Sequence, residues 1–205
     1  MDQWTPLLLK LGGPFRERYG NYINGSFVAP VAERYQAVRS PITGAVICEV
    51  ASATADDLAL SLAAARKAAP GWTAMPASAR AELLHHIAER LDDEAEILAI
   101  AESWDSGKPI MESIATDLPL AFGRIRQAST DLARHGRYPA TGTPGDVVCV
   151  TGRSAFPLLS VLWEAIPALA DGRCVVITPS HDTPASLMLL VELIGDMLPP
   201  GVLNV

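Results

Sequence analysis

Between Gly145 and Val205 the chain alternates strand-like and helix-like segments, and this alternation restricts the possible folds more than any other feature. Val147-Val148-Cys149-Val150-Thr151 is a β-branched apolar run of strand length. From Phe156 to Leu169, apolar residues recur at helical spacing: Leu158, Val161, Leu162, Ala165, Ile166 and Leu169. Asp171-Gly172 stops that helix, because glycine takes the left-handed turn at a helix end without a steric penalty. Arg173 to Thr178 is a second strand of the buried type. Thr183-Pro184 reads as an N-cap followed by proline at the first helical position. The helix it opens covers Ser186 to Leu198, Pro199-Pro200-Gly201 breaks it, and Val202 begins a third strand. Five segments in this order and spacing make half of a doubly wound parallel sheet with right-handed crossovers. Such sheets bind ligands beyond the carboxyl ends of their strands, which here means the loops 152–157 and 178–184.

The residues before this unit read as a lead-in, a hairpin and a helical segment. Residues 1–20 are loop-like, with Gly12-Gly13-Pro14 and scattered charge, and read as a flexible lead-in. Asn24-Gly25 between two short alternating runs predicts a tight hairpin over Tyr22–Val28. Ser40 to Gly44 is a turn leading into a strand from Ala45 to Val50. A helix with a capping-box-like start at Thr54-Ala55-Asp56-Asp57 runs to about Ala69, with Leu58, Leu62 and Ala65 on one face and Pro70-Gly71 as its end. Ser78 caps a second helix that extends to about Asp105, striped by Leu84, Ile87, Leu91 and Leu98. His85 and His86 are adjacent on it and point in different directions, so they read as surface or boundary residues, not ligands. After the break Ser106-Gly107-Lys108-Pro109, a third helix spans 110–133, kinked or split by Pro119. Residues 136–145 form a connector rich in Gly, Pro and Thr. The expected units are therefore 1–20, 21–144 and 145–205.

Composition narrows the class of partner. Hydrophobic residues make up 49% and charged residues 19%, which suits a globular chain. A net charge of −7 argues against nucleic acid as a main partner. The three cysteines, Cys48, Cys149 and Cys174, lie in or beside strand-like runs with no C-x-x-C spacing. They predict neither a disulfide framework nor a metal site, and they read as buried thiols in a reducing compartment. The first residues lack the positive charge and apolar run of a signal peptide, and no run is long enough to span a membrane, so the expected location is cytoplasmic.

Taken in order, the motifs resemble the N-terminal part of the aldehyde dehydrogenase family. They are Tyr22-Ile23-Asn24-Gly25, Ser40-Pro41-Ile42-Thr43-Gly44, Trp104-Asp105-Ser106-Gly107-Lys108-Pro109, Phe156-Pro157-Leu158, Pro167 to Gly172, Thr183-Pro184-Ala185 and Pro199 to Val205. The stretches Glu102–Pro109 and Asp117–Ala121 are most similar to bacterial acetaldehyde-type members. The resemblance implies an α/β fold in which helices and a short β-hairpin lead into an incomplete Rossmann-like parallel sheet. It also implies NAD or NADP as cofactor and oxidation of an aldehyde to a carboxylic acid. In the family, a cysteine thiolate attacks the carbonyl, hydride passes to the nicotinamide, and a glutamate-activated water releases the acid.

By this resemblance, Thr151, Gly152, Ser154, Thr178, Ser180 and His181 occupy the cofactor-facing positions. Three of the matched positions depart from the family. Where the family has an asparagine that holds the oxyanion, this chain has Ala155, which cannot donate a hydrogen bond. Where the family's lysine and glutamate hold the adenosine ribose, it has Thr178 and His181, which implies weak or lost cofactor binding. The connector is shorter than the family's, and the later glycines, the glutamate base and the cysteine-bearing domain would lie beyond Val205. Cys149 and Cys174, inside strands expected to be buried, are not substitutes for the nucleophile. Three readings follow: an enzyme part completed by its missing half, a non-catalytic remnant or partner-subunit protein, and a nucleotide-binding module without chemistry. The sheet edge beside Val202–Val205 and the crossover helices would lack later packing partners, which predicts association as a homo-oligomer or with an aldehyde dehydrogenase subunit.

Overall fold

A computed structural model of the chain describes residues 13–139 and 146–205. Residues 1–12 of the expected lead-in and 140–145 of the expected connector lie outside them. At the N-terminal side, β1 (Arg18–Tyr19) pairs parallel with β5 (Val46–Ala51), and β4 (Tyr35–Arg39) pairs antiparallel with β5's other edge. The lead-in therefore contributes a strand at its end, and β4 is an element the sequence reading did not contain. The expected hairpin forms from β2 (Asn21–Ile23) and β3 (Ser26–Val28). Asn24 at φ 53° and Gly25 at φ 85° make its turn, the left-handed pair that a tight hairpin requires.

Helix α1 (Ala55–Ala74) carries the capping box between Thr54 and Asp57. It passes through Pro70-Gly71 and ends three residues later than glycine, a correction to the expected stop at Ala69. Its inward face is Asp57, Ser61, Ala65, Ala69 and Trp72, so Leu58 lies on the exposed side. The second predicted helix is two: α2 (Ala77–Asp93) and α3 (Ala95–Ser106), divided at Glu94, whose φ −103° and ψ 11° leave the helical region. His85 and His86 are exposed on α2. One helical turn (Ile110–Glu112) runs through a π-helical turn (Ser113–Asp117) into α4 (Leu118–His135). Pro119 stands at the start of α4, where its missing N–H is harmless.

The C-terminal unit is a three-stranded parallel sheet in the order β6 (Val147–Thr151), β7 (Cys174–Thr178), β8 (Leu203–Asn204). The crossovers are α5 (Pro157–Ala170) and α6 (Ala185–Ile194), the latter followed by a 3-10 turn, Gly195–Met197. Cys174 to Ile177 are all buried, so both faces of β7 are covered, with α1 and α5 each packed on it. α2, α3 and α4 form a further layer against α5 and α6. That layer explains why α6 is apolar on nearly every side. The carboxyl end of α5 is fixed from outside: the Trp72 indole N–H donates to the Leu169 carbonyl (3.2 Å) and the Arg80 guanidinium to the Ala170 carbonyl (3.2 Å). A cation at the carboxyl end of a helix also complements its dipole.

Two packing expectations are corrected. The edge of β8 is not open: Tyr22 and Val205 exchange both backbone hydrogen bonds, each at 2.8 Å, which seats the hairpin beside the third strand. The crossover helices also find their packing partners within this chain. Among the described residues, β6 has a strand neighbour on one side only, and its Cys149 is exposed, not buried as the apolar run suggested. No helix among the described residues is long and apolar enough to cross a membrane.

Candidate functional site

Parallel pairing brings the two expected ligand loops together. Val150 pairs with Ile177 and Thr151 with Thr178, so the chain leaves both strands at the same level. The Gly152 N–H then donates to the Thr178 carbonyl at 2.9 Å. The Ser154 and Ser180 hydroxyls lie 2.6 Å apart, and the Thr183 hydroxyl donates to the Ser154 carbonyl at 3.4 Å. Gly152 is needed for this approach, since a Cβ there would lie 3.0 Å from the Ser180 nitrogen.

A cleft of about 450 Å³ opens beside the second loop. Thr178, Ser180 and His181 line one side of it, while Ala53, Thr54 and Leu58 at the start of α1 line another. Val176 and Val205 are also in its wall. Gln36 of β4 reaches across and donates to the His181 carbonyl at 3.3 Å. The lining combines aliphatic groups with hydroxyls, includes the Asp57 carboxyl, and contains neither lysine nor arginine. Such a lining suits a flat heteroaromatic ring and sugar hydroxyls better than a phosphate.

Of the residues expected to face a cofactor, Thr178, Ser180 and His181 line the cleft, and Gly152 and Ser154 are bonded to that wall. Thr151 is exposed at the end of β6, beside Thr178 in register and outside the lining. Ala155 is exposed in the loop before Phe156 and is not in the lining either. The sequence reading missed Gln36, the α1 start and Asp182, whose N–H donates to the Ser180 hydroxyl at 3.3 Å. No periodicity announces them: Gln36 and the α1 start arrive from other elements, and Asp182 lies in the loop itself.

The cysteines divide. Burial pushes the Cys48 thiol up to about 12 and the Cys174 thiol up to about 11, so neither forms a thiolate near neutral pH. Cys149 is exposed, as noted, but lies on β6 outside the cleft lining. Among the described residues, no group of three His, Cys, Asp or Glu side chains is placed to hold a metal ion.

Deeper in the fold, a polar cluster surrounds the end of α3. Glu102 Oε1 accepts from the Leu158 N–H at 3.2 Å, at the start of α5. Asp105 Oδ2 accepts from both the N–H and the hydroxyl of Ser186, each at 2.8 Å, at the start of α6. The Lys108 ammonium lies 2.5 Å from Asp117 Oδ2 and 3.9 Å from Glu102 Oε2. Burial raises the Glu102 carboxyl above its ordinary range, although Lys108 pulls the other way. Burial pushes Asp105 up to about 6 against the bonds from Ser186.

Comparison with known proteins gives the same picture over almost the full length. The family model described as "Aldehyde dehydrogenase family" matches residues 27–205. An aldehyde dehydrogenase of Paracoccus denitrificans is 42% identical over an alignment covering 100% of this chain and 42% of that protein. Aldehyde dehydrogenase B of Escherichia coli is 39% identical, with 93% of this chain and 39% of that protein covered. A crystal structure of a Pseudomonas syringae aldehyde dehydrogenase C mutant, in complex with NAD+ and octanal, superposes with a TM-score of 0.86 at 32% identity. That match covers 94% of this chain and 41% of the other. The chain thus spans about two fifths of the length of the proteins it resembles.

Proposed function

Because the chain belongs to the aldehyde dehydrogenase family, we propose that its 205 residues build the adenosine-facing part of an NAD(P)-dependent enzyme that oxidises aldehydes to carboxylic acids. We further propose that this stretch alone does not turn over. The observation that carries the reading is the joined pair of loops, Gly152–Ser154 and Thr178–His181, beside a cleft lined without lysine or arginine.

In this role the Thr178 and Ser180 hydroxyls and the His181 ring would hold ribose oxygens, and the aliphatic wall of Val176, Leu58 and Val205 would shield the adenine. When bound, the nicotinamide supplies the acceptor for the hydride that leaves the aldehyde carbon. What this stretch contributes is binding and orientation. A reacting thiolate would have to come from residues other than Cys48 and Cys174, which stay protonated. Ala155 offers only a methyl group where an oxyanion needs a donor, and the loss of one such donor slows acyl-transfer chemistry by about two to three powers of ten.

Calorimetric titration of the purified chain with NAD and NADP should give weak, saturable heat. No heat up to millimolar ligand would remove the nucleotide-facing reading. Mixing the chain with acetaldehyde and either cofactor should give no rise in reduced-cofactor absorbance. Sustained turnover blocked by a thiol reagent would overturn the proposal and point to Cys149. The substitutions at Ala155, Thr178 and His181 favour a second reading, a non-catalytic member that binds a partner subunit. Under it, association would proceed through the single-sided edge of β6, which light scattering over a range of concentration reads directly.

A further inference from the structure

Neither crossover helix is capped by its own sequence. Phe156 precedes α5 and Pro184 precedes α6, and neither offers a side-chain acceptor to the free N–H groups of the first turn. The acceptors come instead from one turn of α3. Glu102 and Asp105, three residues apart and so on one face, each bond the start of a different crossover helix. Both carboxylates are buried, at 0% and 1% exposure, a placement that is unfavourable unless donors and positive helix ends compensate. Lys108, beside Glu102 and Asp117, supplies the nearby cation.

The two capped helix starts are also where the cleft-lining loop and the loop bonded to it end. Residues 152–156 run into α5, and residues 179–184 run into α6. We propose that Glu102 and Asp105 are positioning residues that fix the separation of the two loops, and through it the placement of the cleft wall formed by Thr178, Ser180 and His181. The inference rests on the nucleotide-facing reading only for its consequence on binding. The mechanical part stands on the hydrogen bonds alone. Sliding α5 or α6 along its axis would break a bond to a rigid third helix, so the Ser154–Ser180 contact is set from below as well as between the loops.

The test compares wild type with Glu102→Gln, Asp105→Asn, Asp105→Ala and Ser186→Ala by site-resolved amide hydrogen exchange, with urea unfolding as the global reference. Positioning predicts that amides of residues 152–158 and 180–186 exchange at least roughly tenfold faster in Asp105→Ala, in excess of any change in β7. Asp105→Asn, whose amide oxygen still accepts from Ser186, should fall between wild type and Ala. Ser186→Ala should give a smaller effect than either. If the loops and β7 accelerate by one common factor, or if the loops do not change, the proposal is overturned. Should Asp105→Ala not fold, Asp105→Asn and Glu102→Gln decide by the same criterion. A calorimetric titration of each variant with NAD separates the two ideas. Wild type without heat sinks the nucleotide-facing reading and leaves the exchange result to judge positioning. Binding unchanged in a variant whose loops have loosened refutes the link between loop spacing and the cleft.

Discussion

Replacing Asp105 by asparagine should remove a specific slope from the pH dependence of stability. In the folded chain, burial, aided by the nearby Glu102 charge, lifts the carboxyl from 3.8 to about 6, against the hydrogen bonds from Ser186 and Ala185. A raised acid pKa means that the folded state binds the proton more tightly than the unfolded chain. Stability contributed by Asp105 is therefore greatest below its unfolded value and declines as pH rises from about 4 to about 6. A displacement from 3.8 to about 6 corresponds to about 3 kcal/mol between those limits. Cys48 of β5 and Glu102 one turn earlier are the other titratable groups facing it, and the Cys48 thiol stays neutral throughout. The assay is urea unfolding of wild type and Asp105→Asn at a series of pH values, followed by circular dichroism. The variant's offset at any one pH is immaterial; what matters is the change in the difference. Wild type should lose about 3 kcal/mol relative to Asp105→Asn on going from about pH 4 to above pH 6. A flat difference, or one that grows in wild type's favour as pH rises, refutes the reasoning.

Asp57 should behave with the opposite sign. Burial works against its charge, but the N–H groups of Val31 and Thr54 and the Thr54 hydroxyl outweigh burial and hold the carboxyl below 3.8. Asp57→Asn should lower stability by about 2 kcal/mol at neutral pH, and the deficit should shrink as pH falls below about 4, as unfolding at several acidic pH values would show. Gly20→Ala places a Cβ 2.1 Å from the Val28 carbonyl oxygen, a backbone atom that can move only if the hairpin does. It should destabilise by about 3 kcal/mol in thermal or urea unfolding. Trp72→Phe keeps most of the buried ring but leaves the Leu169 carbonyl without its indole donor, and should lower the urea midpoint by the equivalent of about 1–2 kcal/mol.

The parts of this fold that could be read from sequence are those decided locally. Asn24-Gly25 can make few turns besides the one it makes, and the alternation from Val147 onward implied parallel strands joined by helices, as β6, β7 and β8 are. The sequence marked loops 152–157 and 178–184 as ligand loops; that they meet follows from the parallel register seen in the structure. β4 was illegible because only Val38 of its five residues is buried and Arg39 and Gln36 break the apolar signal. Pro70-Gly71 misled because Trp72, one residue on, is bonded to α5, and that contact outweighs two weak helix formers on an exposed face. Cys149 misled because an apolar run does not say whether its strand has neighbours on both sides. The family motif that holds Glu102 and Asp105 was visible, but nothing in one sequence marks which of many acids turn inward to bond a helix assembled later in the chain.

The pairing of Tyr22 with Val205 bears on the order of assembly. Forming it joins residues distant in sequence, and the Asn24 N–H donating to the Asn204 side chain adds a second contact at a sequence separation of 180 residues. Closing so large a loop brings no return until β8 itself exists, and β8 depends on β7. The hairpin is thus docked only after β8 has formed, and the kinetics of that docking should carry the slowest step of refolding.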